Sequence, residues 1–159
     1  MYDVHWLIAE KLVLIQLSGH IRKADLTQLN KQLTHLLDNT SQSDLHFVIK
    51  TSNIQTYPEH IFALRQTLNC FQHQKMGWTL MTGEDKHLMM LFSMMVNLAG
   101  ARFQYTRTEA KTWRFLYYMD STLRIPFSLA YGNSQCAINQ DRMLFTPLSN
   151  DVSDSTFAR

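Results

Sequence analysis

After Gly19 the hydrophobic pattern of this 159-residue chain switches repeatedly between two periods, and that alternation restricts the fold more than any other feature. Helical spacing is clearest over 24–38. There Leu26, Leu29, Leu33, Leu36 and Leu37 share one face of a 3.6-residue period, and Asn30, Lys31, Gln32 and Thr34 fall on the other. The run 45–49 is short and apolar with turn residues on both sides, as a buried strand is. Helical spacing returns over 58–71 through Ile61, Leu64, Leu68 and Phe71. Pro58 suits the first turn, and Glu59 suits the positive end of the dipole. Residues 78–81, between Gly77 and Gly83, predict a further buried strand. Residues 86–99, closed by Gly100, predict a helix, and 103–106 a last strand. A final helix, capped at or near Thr108, is expected to turn Ala110, Trp113, Leu116 and Tyr117 inward.

The opening segments, 2–8 and 12–17, are rich in β-branched and aromatic residues, and 9–11 joins them tightly, so they pair antiparallel. The order β-β-α-β-α-β-α-β-α follows. It predicts an α/β fold with a mixed, mostly parallel sheet of about five strands under about four helices, joined by right-handed crossovers. Residues 1–122 form the expected domain. Residues 123–148 are expected to be an extension packing on that domain or on a neighbouring subunit, and 149–159 a polar, disordered tail.

Composition excludes several functions. A formal net charge of +2, with basic residues scattered and Arg22-Lys23 as the tight pair, lacks the stripe of a nucleic-acid binder. The first ten residues carry Asp3 and Glu10 and no basic leader. No apolar run approaches the roughly 18 residues of a membrane span, so a cytoplasmic location is expected. Cys70 and Cys136 are too few for a disulfide framework.

The chemistry-bearing residues form no motif. The seven histidines, His5, His20, His35, His46, His60, His73 and His87, have no metal-ligand spacing. A Cys70–His73 nucleophile–base pair lacks a visible orienting group. There is no Gly-rich phosphate cradle and no P-loop lysine, so no cofactor is expected.

One segment is more apolar than packing on a sheet requires. In 86–99 the polar positions Lys86, Ser93 and Asn97 share a narrow arc, and the apolar arc spans roughly 260° against a stripe of just over 100°. Its residues Met89, Met90, Phe92, Met94 and Met95 are the candidates for self-association or for packing under the C-terminal extension.

Four stretches together resemble one family over about 4–120: 12–19 (LVLIQLSG), 45–57 (LHFVIKTSNIQTY), 77–83 (GWTLMTG) and 108–118 (TEAKTWRFLYY). They resemble the anti-sigma-factor-antagonist, or STAS, domain, with its SEC14-like relatives. The resemblance implies a non-catalytic protein-interaction or regulatory module that binds other proteins, while the apolar face of 86–99 and the C-terminal extension lead us to expect a homodimer. A small apolar ligand or lipid carrier of the SEC14-like type is the alternative. It also implies a contact surface at the turn after the third strand and on the flanking helices, here Tyr57, Glu59, His60, Arg65 and Asn69. In the family that turn carries a phosphorylated serine in an Asp-Ser-Ser-Gly type sequence. Tyr57-Pro58-Glu59-His60 has no hydroxyl at the matching place and no glycine after it, and Thr51, Ser52 and Thr56 lie upstream.

Overall fold

The computed structural model describes residues 1–58 and 60–123. The predicted extension beyond Leu123 and the predicted tail, with Cys136, lie outside the described residues, as does Glu59. The elements run β1 (Tyr2–Ile8), β2 (Leu12–His20), α1 (Lys23–Asn39), β3 (Leu45–Thr56), α2 (Ile61–Thr67) and a 3-10 turn (Asn69–Gln72). Then come β4 (Met76–Thr82), α3 (Lys86–Leu98), β5 (Arg102–Thr106) and α4 (Glu109–Met119). The strands lie side by side in chain order in one five-stranded sheet. β1 is antiparallel to β2, and the other three pairs are parallel. This is the mixed, mostly parallel arrangement that the alternating periods predict.

The two faces of the sheet are covered unequally. Val13, Ile15, Leu17, Phe47, Ile49 and Met81 pack under Leu26, Leu29, Leu33 and Leu37 of α1, Leu64 of α2, and Leu88, Leu91, Phe92, Met95 and Val96 of α3. The opposite face, with Leu12, Leu14, Val48 and Leu80, meets Trp113 and Leu116 of α4 and then Leu123. The period of two along each strand separates these sets. β1 departs from that period. A register shift between Trp6 and Ile8 opposes two residues to one of β2, and Leu7 and Ile8 both pack toward the α4 face.

Three local expectations are corrected. The second helix does not run from 58 to 71: it begins at Ile61 and gives way at Leu68 to the 3-10 turn. The Asn30 side chain of α1 accepts the Cys70 N–H at 2.9 Å and donates to Asn69 Oδ1 at 2.7 Å. That interaction takes the amide an uninterrupted helix would have used. Pro58 precedes the helix, whose cap position is His60. β3 runs seven residues past the predicted strand 45–49, to Thr56, because β2 also continues to His20 and pairs with it through two register shifts, with Asn53 at φ 49°. Tyr117 points outward at 58% exposure, since α4 turns Thr112, Trp113, Phe115 and Leu116 to the sheet.

Candidate functional site: the cleft at the carboxyl ends of the parallel strands

Every parallel strand ends at the same edge of the sheet, where each following helix begins. Open α/β sheets bind ligands at that edge. Here it holds a cleft of about 510 Å3, lined by residues 50–54 of β3, 82–85 at the end of β4, and 107–109 at the start of α4.

The floor of the cleft depends on close backbone approach. A Cβ on Gly83 would lie 1.9 Å from Thr51 Oγ1, so only glycine fits. The Thr51 hydroxyl donates to the Thr82 carbonyl at 3.1 Å, and the Tyr105 hydroxyl donates to the Gly83 carbonyl at 2.8 Å. Both helix starts at the rim are capped from within. Asp85 accepts the N–H groups of His87 and Leu88 at 2.9 and 3.0 Å, and Thr108 caps α4 through the Lys111 N–H.

Charges of both signs line the cleft. Lys50 pairs with Glu109 across the gap between β3 and α4. Glu84 is exposed, and Arg107 is exposed with no hydrogen bond or ion pair among the described residues.

Behind the Lys50–Glu109 pair lies a smaller chamber of about 190 Å3 between the sheet and α4, lined by Leu7, Leu14, Val48, Lys50, Thr82, Glu109, Thr112 and Trp113. The hydroxyls beside it satisfy each other. Thr82 and Thr112 lie 2.7 Å apart, Thr82 and Thr106 3.2 Å, and Thr106 and Thr112 make a third contact. Trp113 differs: it is 3% exposed, and its indole N–H is buried with no hydrogen-bond partner among the described residues. An unpaired buried donor costs about 1–3 kcal/mol.

Other reactive groups are occupied structurally. Burial pushes the Cys70 thiol up to about 12, so it stays protonated. Its sequence neighbour His73 faces Asp38 through Nε2 at 3.3 Å and accepts the Lys75 N–H at Nδ1. The imagined nucleophile–base pair is therefore not assembled. His46 is buried between β3, β4 and the end of α4; burial holds its pKa below the ordinary value, against the opposing pull of Asp120. Among the described residues no group of three or more His, Cys, Asp or Glu is placed to hold a metal ion.

The residues expected to contact partners divide between core, scaffold and surface. Tyr57 is half-buried and bonds His87 Nδ1 at 3.0 Å, tying the turn after β3 to the start of α3. His60 is exposed at the start of α2, with no side-chain cap bond. Arg65 and Asn69 line a shallow concavity with Gln66 and Gln72, but Asn69 is held by Asn30. Within α3, Phe92 and Met95 are 5% and 1% exposed, and Phe92 stacks edge-on against Phe71 at 5.5 Å, so both belong to the core. Met89 is half-buried, while Met90 and Met94 are exposed. Leu98, which sequence reasoning did not single out, completes an outward row at i, i+4 and i+8. Lys50, Arg107, Glu109 and Trp113 were also missed. They lie far apart in sequence, and only the crossover connections bring them to one edge.

Structural comparison places the chain beside two solved forms of one protein. The anti-sigma factor antagonist SpoIIAA in its unphosphorylated form aligns at 10% identity and a TM-score of 0.45, covering 73% of this chain and 97% of that one. The Bacillus cell fate determinant SpoIIAA in its phosphorylated form aligns at 10% identity and 0.45, covering 72% and 99%. No family model matches the chain. No curated protein matches it either. The fold itself rests on the order and pairing of the five strands. Among the described residues no helix is long and apolar enough to cross a membrane.

Proposed function

We propose that this chain is a non-catalytic protein-interaction module of a regulatory kind, acting in the cytoplasm and pairing with a second copy of itself through α3. The observation that carries this reading is the outward row Met90, Met94 and Leu98, exposed by 53%, 48% and 53% on a helix whose inner side is fully packed. Scattered apolar side chains are ordinary on a protein surface. Three aligned along one helix make a ridge about 12 Å long that water leaves unsatisfied. Methionine side chains adapt their shape to a facing surface. The exposed His60 and Arg65 offer a polar flank to a heterologous partner, in keeping with the contact surface that the STAS resemblance implies.

The lipid-carrier alternative needs an apolar cavity in the range of about 300–1,000 Å3. The chamber beside Trp113, at about 190 Å3 and with Lys50, Thr82, Glu109 and Thr112 in its lining, is smaller and part polar, and this favours the interaction reading among the described residues.

Analytical ultracentrifugation of the wild type and of Met94→Lys tests the proposal. The wild type is expected to sediment as a dimer and the variant to shift toward monomer at an unchanged melting temperature. A wild type that remains monomeric at high concentration removes self-association from the account.

A further inference from the structure

We propose that the free edge of β5, with the groove between it and α4, binds an extended acidic segment of a partner protein, which joins the sheet as a sixth strand. The inference rests on the interaction-module reading and names a second surface for it. That surface lies on the α4 side of the sheet, opposite the face that α3 covers.

The backbone supplies the first half of the argument. β5 is the last strand of the sheet and pairs with β4 through five consecutive partners. Among the described residues no other backbone group bonds to it. Such an edge presents unpaired N–H and C=O groups along its outer side, ready to pair with another chain. The opposite edge is blunted by the bulge of β1 between Trp6 and Ile8. β5 has neither a bulge nor a proline.

Charge supplies the second half. The groove beside that edge is an open space of about 460 Å3, lined by Gln104, Tyr105, Thr106, Arg107, Lys111 and Phe115, with no carboxylate among them. Arg107 and Lys111 are exposed, and neither side chain has a hydrogen bond or ion pair among the described residues. From Arg102 to Arg114 the sequence carries four cations and one carboxylate, a local excess larger than the +2 of the whole chain. The carboxylate, Glu109, is held by Lys50, and Arg102 is held by Asp44. The unneutralised charge of the groove therefore sits on Arg107 and Lys111. Phe115, one helical turn beyond Lys111 and half-buried against Trp78 at 4.9 Å, adds an apolar wall.

An extended acidic chain satisfies both halves at once. Its main chain pairs with the open side of β5, and its side chains alternate, so residues two apart point to the α4 side. Acidic residues at those positions meet Arg107 and Lys111, and an apolar one meets Phe115. A nucleic acid matches the charge but has no N–H and C=O ladder to offer the strand edge.

Fluorescence anisotropy of the full chain with labelled peptides tests the proposal. The probe is acetyl-Thr-Glu-Thr-Glu-Thr-Val-Thr-amide. One control replaces its glutamates by glutamine, and another methylates its main-chain nitrogens. The probe is expected to bind along a saturable curve, with affinity at least fivefold lower for each control. The double variant Arg107→Glu and Lys111→Glu, both at exposed positions, is expected to lose the same factor and to prefer the lysine analogue of the peptide. Hydrogen exchange is expected to find alternate amides of β5 open in the free chain and slowed by the peptide. Met94→Lys is expected to leave peptide affinity unchanged, so strand addition and self-association through α3 stand or fall separately. The proposal is overturned if the probe fails to bind, if either control binds as tightly, or if single-stranded DNA of equal charge displaces the probe more readily than unlabelled peptide does. It is also overturned if every β5 amide is already slow in the free chain, because another segment then holds the edge.

Discussion

His46 shows how one buried side chain ties three elements together. Its Nδ1 accepts the Trp78 N–H at 2.9 Å, which puts the proton on Nε2, and Nε2 lies 3.4 Å from Asp120 Oδ2 at the end of α4. Burial is the largest influence on the ring and lowers its pKa from the ordinary 6.5, outweighing the hydrogen bond and charge of Asp120. The unfolded chain therefore takes up this proton first as pH falls. The stability associated with neutral His46 is complete above about pH 6.5 and declines from there toward the lower folded value. Asp120 acts in a lower window. Burial raises its pKa, but hydrogen bonds from Thr122 and the contact with His46 hold it below the ordinary carboxylate value. Its contribution is lost as pH falls from about 3.8 through the folded value. Urea midpoints measured across pH are expected to slope downward below about 6.5. In His46→Phe that slope disappears, the acid limb remains, and stability drops by about 1–3 kcal/mol because the Trp78 N–H loses its acceptor. Gly77 is bound to the same arrangement. A Cβ there would lie 2.6 Å from His46 Nδ1 and 2.9 Å from the Leu45 carbonyl oxygen. Gly77→Ala is expected to lower the urea midpoint by the equivalent of about 1–3 kcal/mol. An unchanged midpoint would show that the ring and strand move aside freely.

At the scale of elements, both ends of α3 are closed. Asp85 takes two of the first free N–H groups. At the other end Gly100, at φ 75°, donates to the Asn97 carbonyl at 3.0 Å, and Ala101 donates to the Val96 carbonyl at 3.2 Å. This 5→2 and 6→1 pairing is the Schellman motif, which glycine permits. The Gly100 end was readable locally, since capping uses residues adjacent in sequence. Asp85→Ala is expected to lower thermal stability by about 1 kcal/mol, and calorimetry checks it. The end of α2 was not readable in the same way. Its last turn is set by Asn30, which lies on another helix and 40 positions from the Cys70 amide it accepts. No property of the segment 58–71 predicts that contact.

At the scale of the molecule, α3 distinguishes core from interaction surface along one helix. Phe92→Ala removes a ring packed against Phe71 and Phe103, and is expected to cost about 3–5 kcal/mol in urea unfolding whatever the state of assembly. Met94→Lys alters a side chain that is 48% exposed and is expected to change stability by no more than about 0.5 kcal/mol while weakening association. Comparable destabilisation in both variants would place Met94 in a packed environment within the monomer.

The order of the elements, the direction of the sheet and most of its inner residues follow from the sequence alone, because the two hydrophobic periods are local and each helix must cover the strands beside it. Trp113 was legible as an inward residue, yet nothing near it in sequence shows that its N–H has no partner among the described residues. The cleft behaves likewise: Lys50, Arg107 and Glu109 come to one edge only after the two crossovers from β3 to β4 and from β4 to β5. Which apolar residues of α3 face outward was also left to tertiary structure. The roughly 260° apolar arc outlines what must be covered, but where the sheet and α2 stop covering it depends on how the layers pack.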